Sequence, residues 1–396
     1  MAASTAGSAA PVLWARPRPL RVGVVGAGIV GASMAYHLAE AGAQVTVFEK
    51  TGPAAGATRN SFAWVNAFVA DTHYRALRLQ SLLAYHDLDH RLGLGITWGG
   101  YLNWANDAQQ AASVRSNAAQ LEGTAYPVLS ITAADVAALS PHLIPGPLSA
   151  AIYSAIDGHL DPVQVTQRFL AGARARGAQL RSPCELRELE FRHGRLMAAV
   201  TSQGKVPLDR LVVAAGVDTP RVLALCGFTL RLRHAPGILA HSAPLPELTR
   251  IIHDGPGTLS FKQMANGSIV GTDSPEPPDL PVHQAIRAQA LDFPDETLRA
   301  MHGNRILGKI ANLLPAVRDT RLDWLSLGFR PMPTDDLPVV GALPATPDVH
   351  VTVTHSGVTL APILGRYVTS ELMDAARIDA LAPYRPERFA AGTSPA

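Results

Sequence analysis

The fold of this chain is decided by residues 21–31, which read Arg-Val-Gly-Val-Val-Gly-Ala-Gly-Ile-Val-Gly. An apolar strand rich in β-branched residues runs into glycines at the spacing GxGxxG, and a helical pattern then continues to Gly42. A second predicted strand, Gln44–Phe48, ends at Glu49. Strand, glycine turn, helix and strand together predict a βαβ unit that binds a dinucleotide.

The three glycines have separate roles in such a unit. Gly26 permits the tight turn, Gly28 lets the backbone approach a pyrophosphate, and Gly31 lets the helix pack against the strand. The helix that begins near Ile29 and Val30 has unpaired N–H groups that can bind the phosphates. Glycines also occur in ordinary strand-to-helix turns, and such a structural turn is the alternative interpretation.

Glu49 follows Gly31 by 18 residues. A carboxylate at this position is expected to accept hydrogen bonds from the ribose hydroxyls of the adenosine. It would repel a 2′-phosphate, so NADP is disfavoured. The motif by itself does not distinguish NAD from FAD.

The composition indicates a compact globular protein. The 396 residues are 47% hydrophobic and 17% charged, and a net charge of +2 gives no basic field for nucleic acid. Cys184 and Cys226 are too few for a disulfide framework, which favours a reducing, cytoplasmic location. Residues 1–20 lack the apolar run of a signal peptide and are predicted to be a disordered tail. Glycines interrupt the apolar stretch 22–47, so no membrane span is expected.

The rest of the chain alternates between helical and strand patterns. Asn266 and Gly267 separate two strand-like runs, which predicts a hairpin in an antiparallel sheet. Residues 211–213 and the following Gly216 predict a buried parallel strand whose carboxyl end meets a ligand. Further helices are predicted near residues 74–92, 107–121, 132–139, 162–176, 282–290, 295–314 and 359–373, and further strands near 97–104, 179–180, 186–191 and from 324 onward.

These patterns predict an α/β fold with an α+β insert. A Rossmann-like nucleotide-binding domain is expected at 21–75, 150–228 and 320–390. A discontinuous substrate domain that contains the antiparallel sheet is expected at 76–149 and 229–319.

Five segments, in this order, resemble the motifs of one enzyme family. They are the glycine fingerprint with Glu49, the loop 56–61, Asp-Gly-x-x-Asp-Pro at 157–162, Val-Ala-Ala-Gly at 213–216, and the C-terminal pair 328–341 and 355–359. The chain resembles the D-amino-acid oxidase superfamily of FAD enzymes, which includes glycine and sarcosine oxidases and D-amino-acid dehydrogenases. The resemblance implies FAD rather than NAD.

The resemblance also implies which residues bind the cofactor. They are Gly26, Gly28, Ile29, Val30 and Gly31 at the pyrophosphate, Glu49 and Lys50 at the ribose, Arg59, Asn60 and Ser61 in a loop near pyrophosphate and flavin, Leu186 at the adenine, Ala215 and Gly216 at a strand end, and Gly357, Val358 and Thr359 in a loop whose N–H groups face the flavin. Donors at this last position would stabilise the negative charge that reduction places on the ring.

Arg330 matches the arginine that binds the substrate carboxylate in D-amino-acid and glycine oxidases. A planar guanidinium can hold a carboxylate bidentately and so orient the adjacent carbon. The alternative is a structural ion pair with Asp335 or Asp336. His355 is expected either to tune the cofactor, to lie near the substrate amine, or to make a positioning hydrogen bond.

The sequence departs from the sarcosine-oxidase branch at several positions. Two lysines of that branch correspond to Ile269 and Thr359, which argues against sarcosine and against rapid reaction with oxygen. Lys262, across the hairpin, could substitute for the first of them, but a solvated lysine is the preferred interpretation. The Cys and His residues that carry covalent flavin in relatives are absent, so non-covalent FAD is predicted. Trp64, Tyr101 and Trp104 could line the substrate cavity or simply be core residues.

The resemblance implies an enzyme that oxidises the C–N bond of an amino acid or related amine acid by hydride transfer to flavin N5. The electrons would then pass to oxygen or to a quinone-type acceptor. A hydroxy-acid dehydrogenase and an oxidase of bulkier secondary amines are alternatives on the same fold. A flavin-bearing interaction protein without turnover is the alternative of another class.

Overall fold

A computed structural model describes residues 18–273 and 296–389. Its α-helices are α1 (Ile29–Glu40), α2 (Thr72–Leu92), α3 (Ala108–Leu121), α4 (Ala133–Leu139), α5 (Pro162–Arg174), α6 (Thr219–Ala224), α7 (Glu296–Leu313) and α8 (Gly357–Met373). Its β-strands are β1 (Arg21–Val25), β2 (Gln44–Phe48), β3 (Trp64–Val65), β4 (Tyr101–Ala105), β5 (Leu129–Ser130), β6 (Ala150–Ser154), β7 (Gly158–His159), β8 (Gln179–Arg181), β9 (Leu186–Arg192), β10 (Arg195–Thr201), β11 (Gly204–Pro207), β12 (Arg210–Val213), β13 (Leu232–Ser242), β14 (Ile252–Gly255), β15 (Leu259–Gln263), β16 (Ile269–Thr272), β17 (Leu322–Pro333), β18 (Val339–Ala342) and β19 (Val349–Val353).

The first layer is a six-stranded sheet in the order β18-β19-β12-β1-β2-β8. Its strands are parallel except for β18, which is antiparallel to β19. Helices α1, α2, α5 and α8 contribute to one apolar core with β1 and β2. The predicted βαβ unit is confirmed, and β12 lies beside β1 as a buried parallel strand, so the glycine turn and the end of β12 meet at one sheet edge.

The second layer is an eight-stranded, mostly antiparallel sheet in the order β17-β13-β16-β15-β14-β4-β6-β5. The predicted hairpin is confirmed, since β15 pairs with β16 across the turn. One face of this sheet packs on α7 through Phe261, Ile269 and Leu325. The loop 59–64 crosses the opposite face, where Ala63 contacts Lys262 and Asn60 contacts Gly328. The predicted combination of a Rossmann-like sheet with an antiparallel insert is therefore confirmed.

Several predicted boundaries differ from the structure. Helix α8 begins at Gly357, two residues earlier than predicted, because 357–359 form its first turn rather than a loop. Strands β3, β5, β6, β7, β10 and β11 were not predicted. The predicted helix at 282–290 lies outside the described residues. Within the described residues, no helix has the length and apolar character needed to cross a bilayer.

The domain boundaries remain a prediction. Strands β6 and β17, assigned to the nucleotide-binding domain from the sequence, belong to the eight-stranded sheet. Helix α2, which the predicted boundary at residue 75 divides, packs against α8 in the core of the six-stranded sheet.

Candidate active site and cofactor cavity

A cavity of about 310 Å³ lies at the carboxyl ends of β1 and β12. Two helix N-termini open into it, those of α1 and α8, and neither N-cap residue, Gly28 or Ser356, caps its helix with a side chain. The two N-termini are close together, because a Cβ on Gly357 would lie 3.1 Å from Val30 Cγ2. Helix N-termini attract negative charge, so this cavity is suited to an anionic ligand.

The glycine turn has the geometry that its sequence predicts. Gly26 has a φ of +100°, and a Cβ there would lie 2.5 Å from the carbonyl oxygen of Ala214. A Cβ on Gly31 would lie 2.0 Å from the carbonyl oxygen of Gly26, which shows why the helix needs glycine there. Gly28 lines the cavity, and its nearest neighbour is Thr58 Oγ1, at 3.1 Å from a built Cβ.

Side chains from two loops reach the same turn. Thr58 Oγ1 accepts a hydrogen bond from the N–H of Ile29 at 3.1 Å, and Glu49 Oε2 accepts one from the N–H of Ala27 at 2.8 Å. The other oxygen of Glu49 accepts from the N–H groups of Thr51 and Gly52. These bonds fix the Glu49 carboxylate at the cavity wall, where the sequence predicts the ribose.

Cys184, Leu186 and Arg221 line the cavity. Lys50 forms an ion pair with Asp218, and both residues line the cavity. Ala215 and Gly216 continue this wall from the end of β12. The cavity lining also includes Ser61, Arg330, His355, Gly357 and Val358.

His355 is held neutral at physiological pH. Burial, with Arg78 and Arg330 nearby, lowers its pKa to about 4. Its Nδ1 has no hydrogen-bond partner within the described part of the chain. A neutral imidazole with a free ring nitrogen can accept or donate one hydrogen bond to a ligand in this cavity.

Four predicted cofactor residues do not line the cavity: Gly31, Arg59, Asn60 and Thr359. Gly31 is enclosed by the turn, and Thr359 donates its hydroxyl to the carbonyl oxygen of Trp64 at 2.9 Å. Arg59 is exposed and lies over the ring of Trp324, 5.9 Å from its centroid. Asn60 packs against Gly328, where a Cβ would lie 2.6 Å from Asn60 Cβ. Arg59, Asn60 and Thr359 position the loop 59–64 rather than forming the cavity wall.

The prediction that Lys262 is solvated is wrong. Its side chain is 1% exposed, and its Nζ lies 3.4 Å from the carbonyl oxygen of Ala63 and 5.2 Å from the ring centroid of Phe62. Burial lowers its pKa to about 7. The alternation of side chains along the strand places Lys262 on the polar face of the sheet. The loop 59–64 covers this face, and Lys262 is therefore buried. Ile269, by contrast, packs on α7 on the opposite face.

Trp64, Tyr101 and Trp104, proposed from the sequence as wall or core residues, do not line the described cavity. Trp64 stacks on Tyr101 with centroids 4.6 Å apart, and its Nε1 donates to Asp157 at 2.7 Å. Burial raises the pKa of Asp157 to about 7, although Tyr126 also donates to it, at 2.5 Å. Trp104 is a core residue of the second sheet.

The two aspartates near Arg330 have other partners. Asp335 accepts from Arg388 Nε at 2.6 Å, and Asp336 pairs with Arg233. Gly237 on the neighbouring strand β13 leaves room beside the guanidinium of Arg330, since a Cβ on Gly237 would lie 3.7 Å from Arg330 Nε.

Comparison with known proteins agrees with this geometry. The family model described as FAD dependent oxidoreductase matches residues 21–371. The chain belongs to this family. The glycine oxidase of Geobacillus kaustophilus (strain HTA426) is 24% identical over 362 residues, which cover 88% of this chain and 91% of that protein. The crystal structure of L-proline dehydrogenase from P. horikoshii superposes with a TM-score of 0.81 and 21% identity, over 94% of this chain and 98% of the other.

The mitochondrial dimethylglycine dehydrogenase of Mus musculus is 26% identical over 257 residues, which cover 63% of this chain. The matched region is only 30% of that enzyme, so the chain spans a minor part of the dimethylglycine dehydrogenases that it matches. The glycine oxidase, in contrast, is matched over nearly its whole length.

The residues of this FAD dependent oxidoreductase fit its cofactor. The cavity combines a glycine that admits close approach, Gly28, with two uncapped helix N-termini. The N-terminus of α1 suits a pyrophosphate, and that of α8 suits a ring edge that becomes negatively charged. Sequence reasoning missed Thr58 and Arg221 in the cavity wall. The position of Thr58 in a Gly/Ala-rich loop gave no helical or strand pattern that could have indicated its contact with α1.

Proposed function

We propose that this protein oxidises the C–N bond of an amino acid or a related carboxylate-bearing amine. The observation that carries the proposal is that Arg330 and the N-terminus of α8 line the same cavity as the glycine turn, which is suited to a dinucleotide. A carboxylate recognised by Arg330 would therefore lie beside the predicted flavin edge. Bound FAD supplies the two-electron acceptor.

The roles of the protein groups are binding and orientation. Arg330 holds the substrate carboxylate bidentately, which fixes the direction of the adjacent carbon. Positioning of this kind can contribute several kcal/mol to lowering a barrier. His355, neutral because of its lowered pKa, can accept a hydrogen bond from a substrate amine without repelling it. The imine product then hydrolyses in water.

The names of the relatives support this substrate class. Glycine, dimethylglycine and L-proline, in the names of the compared proteins, are all amino acids. The proposal therefore includes N-substituted amino acids. Oxygen and quinone-type compounds are the proposed electron acceptors, and FAD is proposed to be non-covalent. A reducing compartment such as the cytoplasm is proposed as well, supported by the free thiols of Cys184 and Cys226.

The test is anaerobic bleaching of flavin absorbance in the purified yellow protein. Amino acids, N-methylated amino acids and 2-hydroxy acids are added separately. Bleaching by an amino or N-methylamino acid supports the proposal, and bleaching by hydroxy acids alone contradicts it. Turnover with oxygen and with an artificial acceptor then identifies the acceptor.

Arg330→Ala tests the carboxylate contact. Charge-assisted hydrogen bonds contribute about 1.5–3 kcal/mol, so KM should rise by roughly tenfold to a hundredfold. The matched control is Arg233→Ala on neighbouring β13, because Arg233 pairs with the exposed Asp336 and does not line the cavity. Equal KM values for the two variants would refute the proposed role of Arg330.

A further inference from the structure

Arg78 is a buried cation on α2 whose partners are neutral. Arg78 is only 7% exposed. Nη1 donates to Asn66 Oδ1 at 2.7 Å, and Nη2 donates to Ser356 Oγ at 2.5 Å. Its guanidinium also lies over the ring of Tyr74, 4.7 Å from the centroid. Within the described residues no carboxylate pairs with it, and burying a charge in this way is costly.

The guanidinium of Arg78 contacts the N-terminus of α8. Ser356 is the N-cap residue of that helix, and the next two residues, Gly357 and Val358, line the cavity. A helix N-terminus has a partial positive charge of its own, and the full charge of Arg78 adds to it at the same point. The effect reaches the cavity wall, since Arg78 contributes to the lowered pKa of His355.

Mechanical attachment of α8 does not require this charge. One and two turns further along α2, Ser81 Oγ donates to the carbonyl oxygen of Thr359 at 2.6 Å, and Tyr85 donates to that of Val358 at 2.5 Å. Arg78, Ser81 and Tyr85 form one stripe of α2 that faces the start of α8. Two neutral groups of this stripe already hold the helix, so the distinct contribution of Arg78 is its charge.

We infer that Arg78 is a positioning residue that maintains positive potential at the N-terminus of α8 and thereby stabilises negative charge on the pyrimidine edge of bound flavin. This inference rests on the placement of FAD in the proposed function. The expected direction of the effect on the reduction potential is definite. Loss of the Arg78 charge makes the bound flavin harder to reduce. The low dielectric around Arg78 makes the interaction stronger than it would be at the surface.

The experiment measures the reduction potential of bound flavin in the holoenzyme, against a reference dye. Arg78→Met removes the charge with an unbranched apolar side chain, and Arg78→Gln removes it while keeping polar atoms toward Asn66 and Ser356. Each is expected to lower the potential by about 30 mV or more, which is a tenfold change in the ratio of oxidised to reduced flavin. Arg78→Lys keeps the charge and should retain most of the wild-type potential.

A second probe is sulfite, which bleaches bound flavin and leaves it negatively charged. The sulfite Kd is expected to rise at least tenfold in Arg78→Met and Arg78→Gln. The matched control is Arg75→Gln. Arg75 lies one turn earlier on α2, is 5% exposed, and donates to the carbonyl oxygens of Val69 and Ala70 rather than to α8. Its loss should change neither the potential nor the sulfite Kd.

The outcomes are distinguishable. If Arg78→Met or Arg78→Gln binds flavin fully but has the potential and sulfite Kd of Arg75→Gln, Arg78 is only structural and the inference is overturned. If one of these two variants fails to fold, the other provides the same test. If wild-type protein binds no flavin, the proposed function fails instead. If the wild type oxidises amines but the Arg78 variants keep the wild-type reduction potential and sulfite Kd, only the inference about Arg78 is refuted.

Discussion

The hydroxyl of Tyr85 donates a hydrogen bond to the carbonyl oxygen of Val358 at 2.5 Å. In a regular helix this carbonyl would accept from the N–H of residue 362, but that residue is Pro362 and has no N–H. Tyr85 is fully buried, so no water can replace it. Tyr85 of α2 thus supplies the hydrogen-bond donor that Pro362 lacks, in the helix α8 whose first turn lines the cavity.

Tyr85→Phe should destabilise the protein by about 1–3 kcal/mol, because it leaves a buried carbonyl without a donor. FAD affinity should fall as well, since Val358 lines the cavity. Urea unfolding of apo-protein and flavin titration measure the two effects. Tyr367→Phe is the control, because that hydroxyl lies on α8 near the surface beside Gln80. Equal unfolding free energies for the two variants would contradict this account of Val358.

The glycines of the first turn allow fold and cofactor binding to be separated. Gly28→Ala should fold normally, because the backbone φ of Gly28 is −71° and only the Thr58 hydroxyl lies near a Cβ. Its FAD Kd should nevertheless rise at least roughly tenfold, since the methyl group enters the phosphate site. Gly31→Ala should destabilise the apo-protein by more than about 3 kcal/mol, because its Cβ meets a backbone oxygen.

Thermal unfolding of the apo-proteins and flavin fluorescence titration check this pair. Apo-proteins are compared because bound FAD would itself raise the melting temperature. A Gly28→Ala protein that binds FAD as tightly as wild type would argue against pyrophosphate binding at this turn.

The sequence was sufficient for the features that depend on local pattern. The βαβ unit, the hairpin at Asn266 and the order of the family motifs could be predicted, because glycine spacing and turn chemistry are local. Strand β10 was missed because Met197, Ala198 and Ala199 break the alternation that indicates a strand. Pairing with β9 and β11 stabilises this strand despite the weak pattern.

Features of the site that depend on tertiary packing could not be predicted. Lys262 lies on the strand face that alternation makes polar, and Arg78 is a charged residue of α2 whose contacts the sequence does not indicate. Each is buried by a segment distant in sequence: the loop 59–64 covers Lys262, and the start of α8 covers Arg78. No local pattern contains that information.

Lys262→Met should raise stability at pH 7. A lysine with a folded pKa of about 7 and an unfolded value of 10.5 contributes stability above pH 10.5 that is lost as the pH falls to 7. The advantage of the Met variant should therefore be of the order of a few kcal/mol at pH 7 and should shrink toward pH 10. Melting temperatures at pH 7, 8.5 and 10 give the difference. A Met variant that is less stable than wild type at pH 7 would show that the buried amine makes favourable contacts.

Acid should unfold the protein partly through His253. This residue is fully buried, its Nε2 lies 2.9 Å from Ser140 Oγ, and its ring stacks on Phe261. Burial lowers its pKa to about 3, so the folded protein keeps the ring neutral while the unfolded chain takes up a proton below pH 6.5. The stabilising contribution is present above pH 6.5 and decreases as the pH falls toward 3. Between pH 6.5 and 5 the loss should be roughly 2 kcal/mol.

His253→Gln removes the titrating ring but keeps a polar atom for Ser140. Its free energy of unfolding should therefore decrease less steeply than that of wild type between pH 6.5 and 5, whatever its absolute stability. His90→Gln, at an exposed position on α2, is the control and should keep the wild-type slope. Urea unfolding at pH 6.5, 5.75 and 5 measures the slopes. If His253→Gln and wild type lose stability in parallel, the acid sensitivity arises from other groups.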